Sequence, residues 1–125
     1  MSKDKVIPVS PSLDSPDWLF YCEGCDEHHG VWTTKPIIVD GKPNIWTFNG
    51  DKENPTFRPS IHIKRQRTGS QEKETICHSI VTDGKIQYLS DCKHDLKGQT
   101  INLLHLLCHF HMILVFSYFV ALKST

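Results

Sequence analysis

This sequence has no formal net charge, since 14 Lys and Arg residues face 14 Asp and Glu residues, and its isoelectric point lies near 7.1. That balance excludes a bulk electrostatic partner: modules that live on phosphate neutralisation are usually strongly basic, and disordered tails are usually lopsided in charge. No apolar run follows Met1; Ser2-Lys3-Asp4-Lys5 stands there instead, so a secretory leader is not expected and a reducing, cytoplasmic compartment is. An even cysteine set is missing as well, and five cysteines cannot all pair, which argues against a disulfide framework. Internal repeats and low-complexity tracts are absent. What is there, 125 residues with 38% hydrophobic and 22% charged content, fits one domain with a modest core.

Composition divides the chain into three parts. Residues 1 to 17 hold Pro8, Pro11 and Pro16 among Ser and Asp and read as an N-terminal arm. Residues 18 to 101 are dominated by strand signals. Ile37-Ile38-Val39, then Asp40-Gly41, then Ile45-Trp46-Thr47-Phe48 suggest a hairpin that Lys42-Pro43 lengthens. A better defined hairpin has Ser79-Ile80-Val81-Thr82, the turn Asp83-Gly84 and Lys85-Ile86-Gln87-Tyr88-Leu89, the spacing of a two-residue type I′ connection. Thr56 to Lys64 alternates through Phe57, Ile61 and Ile63, and Pro59 confines it to an edge or a bulge; residues 65 to 75 are polar and read as a loop. From Leu103 to Leu122 no Asp, Glu, Lys or Arg occurs over twenty residues, enough to cross a bilayer, yet His105, His109 and His111 are costly in hydrocarbon. A buried or partner-covered helix, a membrane-inserted helix and an ill-folded tail all remain open for residues 102 to 125. The fold class expected is α+β: a small β-rich domain with hairpins around a zinc knuckle and one apolar C-terminal helix.

The chemistry lies in cysteine and histidine. Cys22-Glu23-Gly24-Cys25 has knuckle spacing, with Gly24 free to take a positive φ that turns both sulfurs toward one ion. Cys77-His78 precedes the second hairpin and Cys92-Lys93-His94 follows it. With Thr82 facing Lys85, antiparallel counting places Cys77 opposite Ser90 and Cys92 on the same face, so the two thiols become diagonal neighbours able to join the knuckle. Soft thiolates at tetrahedral spacing select zinc, and the ligands expected are Cys22, Cys25, Cys77 and Cys92, with His78 or His94 as substitutes for Cys92. The competing readings are a redox dithiol at Cys22 and Cys25 and a plain buried thiol at Cys77. His28 and His29 are near enough to ligate or to stand as outer hydrogen-bonding partners, while His62 reads as exposed or hydrogen-bonded.

Four segments resemble a family of small phage and prophage proteins, many of which carry the label "ammonia monooxygenase". They are Trp46-Thr47-Phe48-Asn49-Gly50; Pro55-Thr56-Phe57-Arg58-Pro59-Ser60-Ile61; Cys77-His78-Ser79 with Asp83-Gly84-Lys85-Ile86; and Asp91-Cys92-Lys93-His94 with Gly98-Gln99-Thr100. The resemblance spans about residues 18 to 104. It implies a phage or mobile-element origin, action in a host-cell cytoplasm and a zinc-binding β-rich domain, and it implies no reaction. Members of that family end soon after the Gly-Gln-Thr segment, whereas this chain continues into the apolar run with His105, Cys108, His109 and His111; His105 and His109 would share one helical face.

Two function classes follow. One is a non-enzymatic zinc-stabilised module that binds a protein, plausibly a host factor. The other is a zinc-dependent hydrolase in which Asn49, His78, Asp91 and His94 bind or activate water beside an open metal position; the competing reading of these polar residues is structural, since Asn49-Gly50 suits a turn and Asp91 can accept backbone hydrogen bonds. Ammonia oxidation is not expected, because nothing here resembles a multi-copper assembly. Nucleic-acid binding through Lys64, Arg65 and Arg67 with Trp46 and Phe57 nearby is disfavoured by the charge balance, and membrane association depends on residues 103 to 122.

Overall fold

The computed structural model describes residues 3–12, 14–66 and 74–106, and within them the chain forms eleven β-strands. Two turn signals set the framework. At Asp83-Gly84 both residues have positive φ, 51° and 78°, and β9 (Glu74–Thr82) and β10 (Lys85–Tyr88) leave the turn in the register Thr82↔Lys85. The two-residue connection expected from the sequence is present. Asp40-Gly41, with φ of 51° and 77°, makes the same kind of turn between β4 (Ile37–Val39) and β5 (Lys42–Asn44). Here the expected lengthening by Lys42-Pro43 does not occur. Val39 pairs with Lys42 and Ile38 with Pro43, and in a two-stranded ribbon a proline can face outward without breaking a ladder bond.

β9 lies inside a four-stranded antiparallel sheet of order β11-β10-β9-β8, in which β8 (Ile61–Gln66) and β11 (Thr100–Asn102) are the edges. Pro59 divides the Thr56–Lys64 stretch into two strands with different partners. β7 (Phe57–Arg58) pairs with β6 (Thr47–Phe48), and β8 pairs with β9 from Ile61↔Ser79 to Gln66↔Glu74. The stretch expected as a loop from 65 to 75 thus gives its two ends to strands, and residues 67–73 lie outside the described part.

The second sheet has the order β1-β2-β3, formed by β1 (Ile7–Pro8), β2 (Trp18–Cys22) and β3 (Glu27–Val31). It is covered on both faces. Phe20, Cys22 and Val31 join the main core with Trp46, Phe57, Ile61, Ile63, Cys77, Val81, Ile86 and Tyr88, whereas Leu19 and Tyr21 pack against Leu106, Ile7 and Val9. Each fully buried Val, Ile or Phe contributes about 1.5–3 kcal/mol relative to exposure, and this double coverage is what holds so polar a strand as Glu-His-His-Gly-Val in place.

The α+β class with an apolar C-terminal helix is corrected. Residues 100–102, which lead into the segment expected to be helical from residue 102, form a strand paired with residues 85–87; Leu103 donates its N–H to Gly84 O at 3.0 Å and Leu106 to Asp4 O at 2.9 Å. No α-helix occurs among the described residues. Leu103 and Leu106 are buried because they seal the two cores, so their apolar character needs no helix or lipid to explain it. The remainder of the run, with Cys108, His109 and His111, lies outside the described residues, and His105 is exposed. Among the described residues no helix is long and apolar enough to cross a membrane.

Candidate active site and metal centre

β2 ends at Cys22, which pairs with Glu27, so the hairpin loop is Glu23-Gly24-Cys25-Asp26 and the Cys-x-x-Cys motif is the turn itself. The positive φ expected at Gly24 falls instead on Asp26, at 53°. Tyr21 hydrogen-bonds the Asp26 carboxylate and so secures the loop. Gly24 is required for another reason: a Cβ there would overlap the ring of His94. Gly24→Ala is therefore expected to displace His94 and cost about 1–3 kcal/mol of stability. A denaturation midpoint equal to that of the natural chain would show that the ring is not seated there.

One donor atom from each of Cys22, Cys25, Cys77 and His94 lies within 4.8 Å of all the others, and the Cys22 and Cys77 sulfurs are 3.9 Å apart. Tetrahedral coordination at metal–sulfur distances of about 2.3 Å requires ligand atoms roughly 3.8 Å apart, so this group could hold a metal ion with little movement. Cys22 and Cys77 are fully buried and none of the four described cysteines is in a disulfide. Leu96 donates its N–H to His94 Nδ1 at 3.2 Å, while His94 Nε2 is buried without a hydrogen-bond partner, the kind of orphaned atom that an ion satisfies. Tyr88 braces the group from behind: its hydroxyl lies 3.2 Å from Cys22 Sγ and accepts the Gly24 N–H at 3.2 Å, and its ring meets His94 edge to face. Hydrogen bonds from Cys25 and Cys77 hold the Cys22 thiol well below its ordinary range, and donating those same bonds to Cys22 pushes Cys25 and Cys77 up.

Cys92 and His78, both candidate ligands in the sequence, are outside this group. After Leu89 the chain turns back, and Cys92 Sγ lies 3.2 Å from both the N–H and the carbonyl oxygen of His78, so this thiol clamps the His78 backbone. Its burial pushes the thiol up. His28 and His29 are both buried. The His29 ring nitrogens have no hydrogen-bond partner, and a His29 nitrogen lies within 4.8 Å of donor atoms of Cys25 and Glu27, which makes His29 a further donor beside the same sulfurs.

The outer face of the same strands carries a second constellation. Along β9, Cys77, Ser79 and Val81 point inward, and His78, between two of them, is half exposed on the other side. Asp91 Oδ2 lies 3.0 Å from His78 Nδ1, and Ser60 Oγ lies 2.9 Å from His78 Nε2. A carboxylate only accepts, so Nδ1 carries the proton and Nε2 accepts from the Ser60 hydroxyl. That bond from His78 also holds the Asp91 carboxyl below its ordinary range. The position of Ser60 is set by Trp46 as well, whose Nε1 donates to the Ser60 carbonyl at 3.2 Å. The sequence reading found His78 and Asp91 but missed Ser60. Its signal was Pro-Ser-Ile at the head of an alternating strand that pairs with the strand bearing His78.

Of the two readings of the polar residues, Asn49 follows the structural one. Asn49 accepts the N–H groups of Asp51 and Thr56 and donates to Asn54 O, so it organises the 49–56 loop. His94 lies among the sulfurs, away from His78 and Asp91, so the three do not form one water-activating set.

Residues 2–89 match the family model described as bacterial ubiquitination-like system serine protease (BubE), a segment that contains Ser60 and His78. No curated protein and no solved structure matches the chain. The match overturns the non-enzymatic protein-interaction module directed at a host factor, and the zinc-dependent hydrolase gains no support, because His78 is engaged by Ser60 and Asp91. The motif resemblance to a family of small proteins is supported only in that a family is matched, and the monooxygenase label finds no support. With most of its length covered by that model, the chain belongs to the BubE family of bacterial ubiquitination-like system serine proteases.

Proposed function

We propose that this chain hydrolyses peptide bonds of proteins handled by a ubiquitination-like system, with Ser60 as nucleophile, His78 as general base and acid, and Asp91 as the group that orients His78. The observation that carries this reading is the unbroken chain from Ser60 Oγ through both nitrogens of His78 to Asp91 Oδ2, at 2.9 and 3.0 Å. Ser60 Oγ attacks the scissile carbonyl while His78 Nε2 takes its proton; His78 then gives that proton to the leaving amine, and an acyl-serine remains. Water, deprotonated by the same nitrogen, releases the acid and restores Ser60. Asp91 fixes the tautomer that leaves the Nε2 lone pair available.

The Cys22, Cys25, Cys77 and His94 group is proposed to hold Zn2+ in a structural role, because soft thiolates in tetrahedral array favour that ion. A closed set of this kind acidifies no water, and its effect on catalysis runs through the backbone: Cys77 immediately precedes His78, and His94 follows Asp91 by three residues. The test is covalent. A fluorophosphonate probe is expected to add to Ser60 in the natural chain, located by peptide mass, and to add to neither Ser60→Ala nor His78→Ala. Labelling of a different serine, undiminished in Ser60→Ala, would reject the assignment.

A further inference from the structure

His62 stands directly across from His78 in the β8–β9 ladder, on the same outer face of the sheet. Their rings stack with centroids 4.6 Å apart and planes 24° from parallel. The two hydrogen bonds of His78 leave through Nδ1 and Nε2 and lie near the ring plane, so they fix where the nitrogens are but resist weakly a swing of the ring about the line joining them. A flat group on one face blocks that swing. His62 is also two residues after Ser60, so one short stretch of backbone carries both the nucleophile and the plate that the base rests on.

Resting on the Ser60–His78–Asp91 reading, we propose that His62 is a positioning residue for the general base, and that its flat ring face, rather than its basic nitrogens, does this. A misplacement of about 1 Å in a catalytic group can cost up to about 100-fold in rate, and loss of the stack is expected to cost roughly 10-fold or more. The experiment follows p-nitrophenyl acetate hydrolysis by the full chain together with metal content and thermal midpoint. His62→Ala should lower kcat with KM within about twofold and unchanged metal content, and His62→Phe should restore kcat to within about threefold of the natural chain. An unchanged kcat in His62→Ala, or a His62→Phe as slow as His62→Ala, would overturn the proposal. If His62→Ala does not fold, His62→Phe against His62→Asn decides: the proposal requires the first to be fast and the second slow, and equal rates overturn it. Ser60→Ala separates the two levels. Should it hydrolyse as fast as the natural chain, the triad itself fails; should it be inactive while His62→Ala is fully active, only the role of His62 fails.

Discussion

Ser60→Ala is expected to abolish hydrolysis, lowering kcat by about 10⁴-fold or more while the thermal midpoint and metal content stay close to those of the natural chain. The loss is large because Ser60 itself would carry the acyl group, and the fold is spared because Ser60 is half exposed on the outer face of the sheet. His78→Ala should cost a comparable factor, and the double variant should be no worse than either single one, since the residues act as one unit. Asp91→Asn should cost less. Its side chain is 53% exposed, so water screens its charge, and a loss of roughly 10²- to 10³-fold is expected instead of the ~10⁴-fold seen where the orienting carboxylate is buried. Additive losses across the pair Ser60 and His78, or full activity in either single variant, would show that the hydrogen-bonded chain is not the catalytic unit.

Removing the metal is expected to be the most damaging change to the fold. Structural zinc contributes on the order of 10 kcal/mol in small domains, comparable to the whole net stability of ~5–15 kcal/mol that a domain of this size has. Chelation, or Cys77→Ser, should therefore collapse the thermal transition and with it the hydrolysis, because Cys77 and His94 tie β9 to the segment carrying Asp91. Cys92→Ala offers a separation of roles. Its thiol contacts the His78 backbone and is outside the four-donor group, so this variant should keep its metal yet turn over more slowly. Elemental analysis alongside rate measurement reads both effects, and a chelated, metal-free chain with an undiminished midpoint and rate would remove the centre from any structural account.

What the sequence made legible depended on how local the determinant was. Asp83-Gly84 fixes its own turn, so the β9–β10 register could be counted from it, and the Cys22–Cys25 spacing is a local geometry as well. Cys77 joining that pair needed only one further pairing. Ser60 sat in a visible motif, but its partner was not legible, for the opposite reason. A serine before an isoleucine has no chemical mark, and it meets His78 only through the β8–β9 ladder, whose connection passes through residues 67–73. Between the two candidates Cys92 and His94 the sequence left the fourth donor open, because the ladder that can be counted stops at Tyr88 and the chain then folds back, and it is His94 that groups with the three sulfurs. β3 escaped notice because its residues are polar and are buried by neighbours from distant parts of the sequence. The apolar helix expected over residues 102–125 finds no support at residues 102–106, because apolar residues that close a sheet edge look, in composition alone, like those of a helix.

Cys77 and His78 occupy opposite sides of one strand, separated by a single peptide unit. A slip of one position in β9 would exchange them, sending an imidazole into the cluster of sulfurs and leaving a thiol beside Ser60 and Asp91. The facing of both side chains thus rests on registers set in part by a turn, Asp83-Gly84, that lies five residues along the chain from His78, and a one-residue insertion at that bend is expected to disturb both faces of the protein together.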